Sequence, residues 1–162
     1  MRIFRPNKYV NSLGKINFKK LRKRGYSGIL FDIDNTLVPH GHGLTTEVKK
    51  FILSLKKMGY RIGLVSNNNE ERVKLFNREL NLPYICKARK PLPHNYKKLA
   101  KKLGIKQGKV LFIGDQLFTD ILGANLAGIK SILVKPIDSE TEPLSIKIKR
   151  VLERILLKAV YE

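Results

Sequence analysis

Apolar residues fall along the chain in short runs, separated by stretches with helical spacing. Gly28–Ile33 is apolar, bounded by glycine and ending in carboxylates, as expected of a buried strand. Tyr60–Val65, Pro83–Cys86, Lys109–Ile113 and Lys130–Val134 repeat the pattern. Between the runs, Thr46–Met58 places Val48, Phe51, Ile52 and Leu55 on one helical face and stops at Gly59. Glu70–Leu80 predicts a second helix, started by Asn68 or Asn69 as N-cap. His94–Leu103 predicts a third, stopped by Gly104, and Thr119–Ala127 a short fourth, ending at Gly128. Strand–helix alternation over short links implies right-handed crossovers and a mainly parallel sheet with helices on both faces. The expected fold class is therefore α/β, a Rossmann-like three-layer sandwich. Ligands of such sheets sit beyond the carboxyl ends of the strands. Asp32, Asp34, Ser66 and Asp115 all lie there, just after an apolar run.

The tail, Ser145–Tyr161, has a pattern of its own. Ile148, Val151, Leu152, Ile155 and Ala159 recur at helical spacing, with Lys147, Arg150, Arg154 and Lys158 on other faces. Two readings fit: a terminal helix packed on the sheet or on a partner subunit, or a basic amphipathic helix lying on acidic lipid.

Length and charge narrow the picture. At 162 residues the chain is expected to form one domain over 1–162. Its core would span about 26–135, with a basic segment 1–25 before it and an amphipathic helix about 145–161 after it. Hydrophobic residues at 43% and charged residues at 28% exclude wholesale disorder. The single cysteine, Cys86, can form no internal disulfide and reads as a core thiol, which fits a reduced, cytoplasmic setting. No run approaches the ~20 apolar residues of a membrane span. The basic N-terminus has no apolar stretch behind it, so no cleaved signal peptide is expected.

The net charge of +20 is concentrated: residues 1–28 and 87–109 each carry nine Lys or Arg and no acid. Such clusters attract nucleic acid, an acidic membrane surface or phosphate-bearing substrates, or simply keep a surface solvated. Lys97, Lys98, Lys101 and Lys102 form one helical stripe with the same two readings. The clusters lack the aromatic-rich recognition motifs of common RNA-binding modules, which places nucleic acid behind the other partners.

The chemistry is concentrated in Phe31-Asp32-Ile33-Asp34-Asn35-Thr36-Leu37. Two carboxylates this close at a strand end call for a cation, and hard oxygen ligands suit Mg²⁺. Three further pieces follow in order: Ser66-Asn67 after the second strand, Lys90-Pro91 after the third, and Gly114-Asp115 with Asp120 after the fourth. A carboxylate nucleophile, a hydroxyl, a cation and metal ligands suit phosphoryl transfer, where positioning and charge neutralisation dominate. His40 and His42, in a glycine-rich loop just beyond, are candidates for metal binding or leaving-group recognition.

These pieces resemble motifs I to IV of the haloacid dehalogenase (HAD) superfamily of aspartate-nucleophile phosphatases, over about residues 26–135. The resemblance implies that Asp32 attacks phosphorus and that Asp34 protonates the leaving alcohol and later deprotonates water. It implies that Thr36 orients the loop, that Ser66 and the Asn67 amide hold phosphoryl oxygens, and that Lys90 neutralises developing charge. Asp32, the Asp34 carbonyl and Asp115 would bind Mg²⁺, with Asp120 behind them. The links between motifs leave no room for a cap domain. Uncapped members act on macromolecular or bulky substrates, often as homo-oligomers. FDIDNTLVP, SNN, ARKPLP and GDQLFTD resemble more closely the YqeG-type subclass IIIA, which is similar to HAD-type phosphatidylglycerophosphate phosphatases. That resemblance implies an anionic phospholipid substrate and peripheral contact with the inner face of a membrane.

Overall fold

The computed structural model describes residues Arg2–Tyr161. Six strands form one all-parallel sheet: β1 (Lys8–Val10), β2 (Gly28–Phe31), β3 (Arg61–Val65), β4 (Tyr84–Ile85), β5 (Val110–Gly114) and β6 (Lys130–Val134). Their order is β1-β6-β5-β2-β3-β4. The helices are α1 (Phe18–Lys23), α2 (Thr46–Lys57), α3 (Glu70–Asn77), α4 (His94–Lys102), α5 (Leu122–Leu126) and α6 (Leu144–Tyr161). The expected three-layer α/β architecture is thus present.

The central strands are apolar throughout because both faces of the sheet are covered. Ile29, Phe31, Ile62, Leu64, Leu111 and Ile113 point to one face. There they meet Ile52 and Leu55 of α2 and Val73 and Phe76 of α3. Leu30, Val65, Val110 and Phe112 point to the other, under Tyr96 and Leu99 of α4 and Ala124 of α5. Strand alternation assigns the faces, and the register of β2 against β3 and β5 aligns Phe31 with Leu64 and Ile113. The three chain reversals that follow Phe31, Val65 and Gly114 therefore open at one edge.

Local chemistry sets several boundaries. Thr45 Oγ1 accepts the Val48 amide at 3.2 Å and starts α2. Asn69, of the two asparagines considered, caps α3 by accepting the Arg72 amide at 2.9 Å. That helix ends at Asn77, three residues before the expected Leu80. The Asn77 side chain leaves the helical pattern to bond both the amide and the carbonyl of Leu82. The first strand ends at Phe31, not Ile33, because Ile33–Val38 folds back on itself: the Leu37 amide donates to the Ile33 carbonyl at 2.9 Å. The helix expected at Thr119 begins earlier, as a π-helical turn over Leu117–Ile121 that runs on into α5.

The basic N-terminal segment folds into the sandwich. β1 pairs in parallel with β6, Lys8 opposite Ile132 and Val10 opposite Val134. α1 sends Phe18 into the core beside Phe51 and Tyr60, and the Tyr60 hydroxyl donates to the Phe18 carbonyl at 2.7 Å. Cys86 is a half-buried thiol packed against the same core. No domain is inserted between β2 and α2 or between β3 and β4 among the described residues.

α6 does pack on the sandwich, but not through the apolar stripe that the sequence displays. Leu156 and Leu157 meet Leu117, Ile121 and Leu133. Ile148, Val151, Leu152 and Ile155 are exposed.

Candidate active site

Asp32 follows β2 and keeps one sheet bond, its amide donating to the Ile113 carbonyl at 3.0 Å. The reversal behind it needs a left-handed residue, and Asn35 takes that conformation at φ 62°. This turn aims Thr36 Oγ1 at two carboxylates, Asp115 Oδ1 at 3.1 Å and Asp32 Oδ2 at 3.4 Å. Beyond β3, Ser66 is buried and its hydroxyl accepts the Asn68 amide at 3.1 Å. The Asn67 side chain accepts the Lys90 amide at 2.8 Å, fixing the backbone from which Lys90 reaches inward.

Lys90 joins the set. Its Nζ donates to Asp32 Oδ1 and to Asp120 Oδ1, each at 2.6 Å. Asp120 turns its other oxygen back to accept the Asp115 and Gln116 amides, each at 3.1 Å. It therefore both ties down the backbone leading into the π-helical turn and pairs with Lys90. Ligand oxygens of Asp32, Asp115 and Asp120 lie within 4.8 Å of one another, and all three residues are buried.

Three buried carboxylates against the Lys90 ammonium and the Arg150 guanidinium on Asp115 leave excess negative charge. Burial drives the Asp32 carboxyl up to about 6, although Lys90 pulls it down. Burial, with Asp32 and Asp120 nearby, raises Asp115 well above the carboxylate range. Lys90 is raised, since Asp120 and Asp32 outweigh its burial, and stays charged. A hard divalent cation would relieve the repulsion, so the residues fit Mg²⁺. Neither histidine belongs to the carboxylate cluster: His40 lines the adjoining cavity, while the His42 carbonyl accepts from Arg72 at 2.6 Å.

The Asp34 side chain is held apart from this group. Its oxygens accept Arg72 Nη2 at 2.8 Å, the Gly41 amide at 2.8 Å and Asn68 Nδ2 at 2.7 Å. Burial alone would raise its carboxyl, but the Arg72 and Gly41 bonds hold it below the usual value. Asp34 is thus a stable carboxylate in this arrangement. A cavity of about 250 Å³ opens above the site, lined by Asp32, Asp34, Ser66, Lys90, His40 and Lys149. A larger one, about 520 Å³, lies beside Asp115 along α6, from Lys147 to Leu157.

Sequence reading missed the grips on the two outer aspartates. Asn68 and Arg72 hold Asp34, while Arg150 of α6, with Glu142 and Glu153, holds Asp115. One signal was visible for the second grip: Glu153 is the only acid in an otherwise basic helix. The lysine stripe on α4 is exposed and away from this cavity.

An aspartate after β2, the lysine paired with it and the carboxylates after β5 meet at one end of an uncapped parallel α/β sheet. The comparisons with known proteins give the family. Residues 44–128 match the haloacid dehalogenase-like hydrolase family. The chain is 37% identical to the probable phosphatase YqeG of Bacillus subtilis, over 98% of this chain and 92% of that one. It is 26% identical to phosphatidylglycerophosphate phosphatase 1 of Arabidopsis thaliana, over 94% of this chain but 47% of the plant protein. A hydrolase from Streptococcus pneumoniae has the same fold, with a TM-score of 0.57 at 16% identity over 80% of this chain and 99% of the other. The chain belongs to the haloacid dehalogenase-like hydrolases, and it is a HAD-type phosphatase.

Proposed function

We propose that this phosphatase is Mg²⁺-dependent, works through an aspartyl-phosphate on Asp32, and takes phosphatidylglycerophosphate as its substrate. The observation that carries the mechanism is the buried Asp32–Lys90–Asp120 group with Asp115 beside it.

Asp32, Asp115 and the Asp34 carbonyl are the residues that would hold the metal. Once bound, the cation supplies positive charge to the phosphoryl oxygens. Asp32 attacks phosphorus, the ester P–O bond breaks, and an acyl phosphate forms on its carboxylate. The departing alkoxide takes a proton from Asp34. Water then attacks the acyl phosphate, Asp34 takes its proton, and phosphate leaves with Asp32 restored. Ser66 and the Asn67 amide hold the transferring group, and Lys90 balances charge on Asp32. As observed, Asp34 is ready to accept a proton. To donate one it must leave Arg72, so the Arg72-bound rotamer belongs to the resting enzyme.

The lipid substrate is supported by the plant relative, by the open cavity, and by α6. Ile146 and Lys149 of that helix border the cavity, and its outward face is apolar with basic flanks. No helix among the described residues is long and apolar enough to cross a membrane, so contact with lipid would be peripheral.

The test is phosphate release from phosphatidylglycerophosphate in mixed micelles, against a soluble aryl phosphate. We expect Mg²⁺-dependent turnover, lost on chelation. Asp32→Asn should lower it at least ~10³-fold while the protein still melts cooperatively, since a covalent step depends on that oxygen. An unaffected rate would remove Asp32 as nucleophile. A higher kcat/KM on soluble phosphomonoesters would remove the lipid as substrate.

A further inference from the structure

Arg150 is buried among acids. Its Nη2 bonds the carboxylates of Asp115 and Glu142. Its Nη1 donates to the Asp115 carbonyl at 2.6 Å and lies 3.4 Å from Glu153 Oε2, while Nε donates to Glu142 Oε2 at 3.1 Å. The two glutamates are tied in turn to the catalytic loops. Glu142 Oε1 accepts Asn35 Nδ2 at 2.8 Å, and Glu153 Oε1 accepts the Phe118 amide at 3.1 Å. Glu142 and Glu153 are buried, and the Arg150 side chain is only 11% exposed. One guanidinium therefore joins the loops after β2, β5 and β6.

A buried ion cluster is a weak source of stability, because desolvation offsets the attraction. Leu156 and Leu157 already give α6 an apolar seat. What the cluster adds is direction. Asp115 has one carboxylate oxygen held by Thr36 and the other by Arg150, and its carbonyl is held by Arg150 as well. Both sides of its carboxylate are fixed before any ligand arrives. Planar, two-pronged contact of this kind needs a guanidinium, since an ammonium is a point charge.

We infer that Arg150 is a positioning residue for Asp115, orienting its carboxylate toward Asp32 for a divalent cation, with Glu142 and Glu153 orienting the guanidinium. The inference rests on the metal reading proposed above. It makes the terminal helix part of the active site.

The experiment is Mn²⁺ binding to the full chain, read from the electron-spin resonance of free Mn²⁺ and independent of turnover. Loss of an outer partner of a metal ligand commonly costs 10–100-fold in affinity. Arg150→Gln should raise the Mn²⁺ Kd at least ~10-fold, and Arg150→Lys should recover only part. Leu157→Ala, which loosens the seat of α6 without touching Asp115, should leave the Kd within about twofold. Should Arg150→Gln fail to melt cooperatively, Arg150→Lys carries the test with the charge retained. An unchanged Kd in a folded Arg150 variant overturns the inference. So does an equal loss in Leu157→Ala, which would mean general loosening. A tighter Kd also overturns it, making Arg150 a competitor for the cation. If the parent itself binds no Mn²⁺, the metal reading falls first and this inference with it, a result distinct from the others.

Discussion

Asp32 sits between opposing influences: burial and the acids raise its carboxyl to about 6, and Lys90 limits the rise. Its proton is therefore held more tightly in the folded chain than in the unfolded one, where 3.8 is the ordinary value. Between those values the native state binds more protons, so metal-free stability should fall as pH rises from ~4 to ~6. Two pKa units correspond to a loss on the order of 3 kcal/mol. Asp115 is raised too and adds with the same sign. Asp34 is lowered and acts below this window: its share is present above 3.8 and is lost as pH falls through its folded value. With Mg²⁺ held by the ionised carboxylates, as proposed, its stabilising effect should grow across the same window. Thermal melts at pH 4 to 7, with and without Mg²⁺, measure it; a Mg²⁺ gain independent of pH would mean that the cation binds elsewhere. Asp32, Ser66 and Asp115 were legible because each directly follows a strand and strand ends converge, and Lys90 and Asp120 because they lie in the segments just beyond. Arg72 and Arg150 were not, because their partners are 38 and 35 residues away and helical spacing alone does not show which face turns inward.

Among the elements, the π-helical turn after β5 does most to shape the site. It starts at Leu117 because Asp120 folds back over Gly114 to take two amides and still reaches Lys90. A methyl group on Gly114 would stand 2.5 Å from Asp120 Cγ. Asp120 cannot yield without dropping its amides or its lysine. Gly114→Ala should therefore cost ~1–3 kcal/mol, as overpacking does, and lower turnover at least ~10²-fold. Gly43→Ala, facing open space, should change neither. Urea unfolding and the aryl phosphate assay read both; an active Gly114→Ala would show that Asp120 has room to move. The central strands were legible as apolar runs because they are covered on both faces. β1 and α1 were not. A three-residue edge strand with Val10 alone pointing inward has no period, and α1 is six residues long with four cationic positions around Phe18 and Leu21. What identifies them is tertiary: the β6 partner for one, Phe51 and Tyr60 for the other.

The whole molecule presents its least soluble surface beside its active site. Ile148, Val151, Leu152 and Ile155 are each half exposed or more, and Lys147, Arg154 and Lys158 run along one flank. The helix's only acid, Glu153, faces inward. Such a face suits an anionic bilayer, with apolar side chains in the interface and ammonium groups among the headgroups. Net charge of +20 would by itself draw the protein to anionic vesicles, at about 1 kcal/mol per cation near the surface, so binding alone decides little. Insertion is separable from attraction by substitutions that keep the charge. Ile148→Asn with Ile155→Asn removes two large apolar side chains, each worth roughly 1.5–3 kcal/mol when fully buried. We expect parent protein to sediment with phosphatidylcholine–phosphatidylglycerol vesicles at moderate salt. The double variant should bind at least ~10-fold more weakly, with aryl phosphate turnover unchanged. Equal binding would assign the contact to charge alone. A lipid-free dimer dissolved by the same substitutions would assign the face to a second copy of the chain, leaving lipid to reach the cavity by another side.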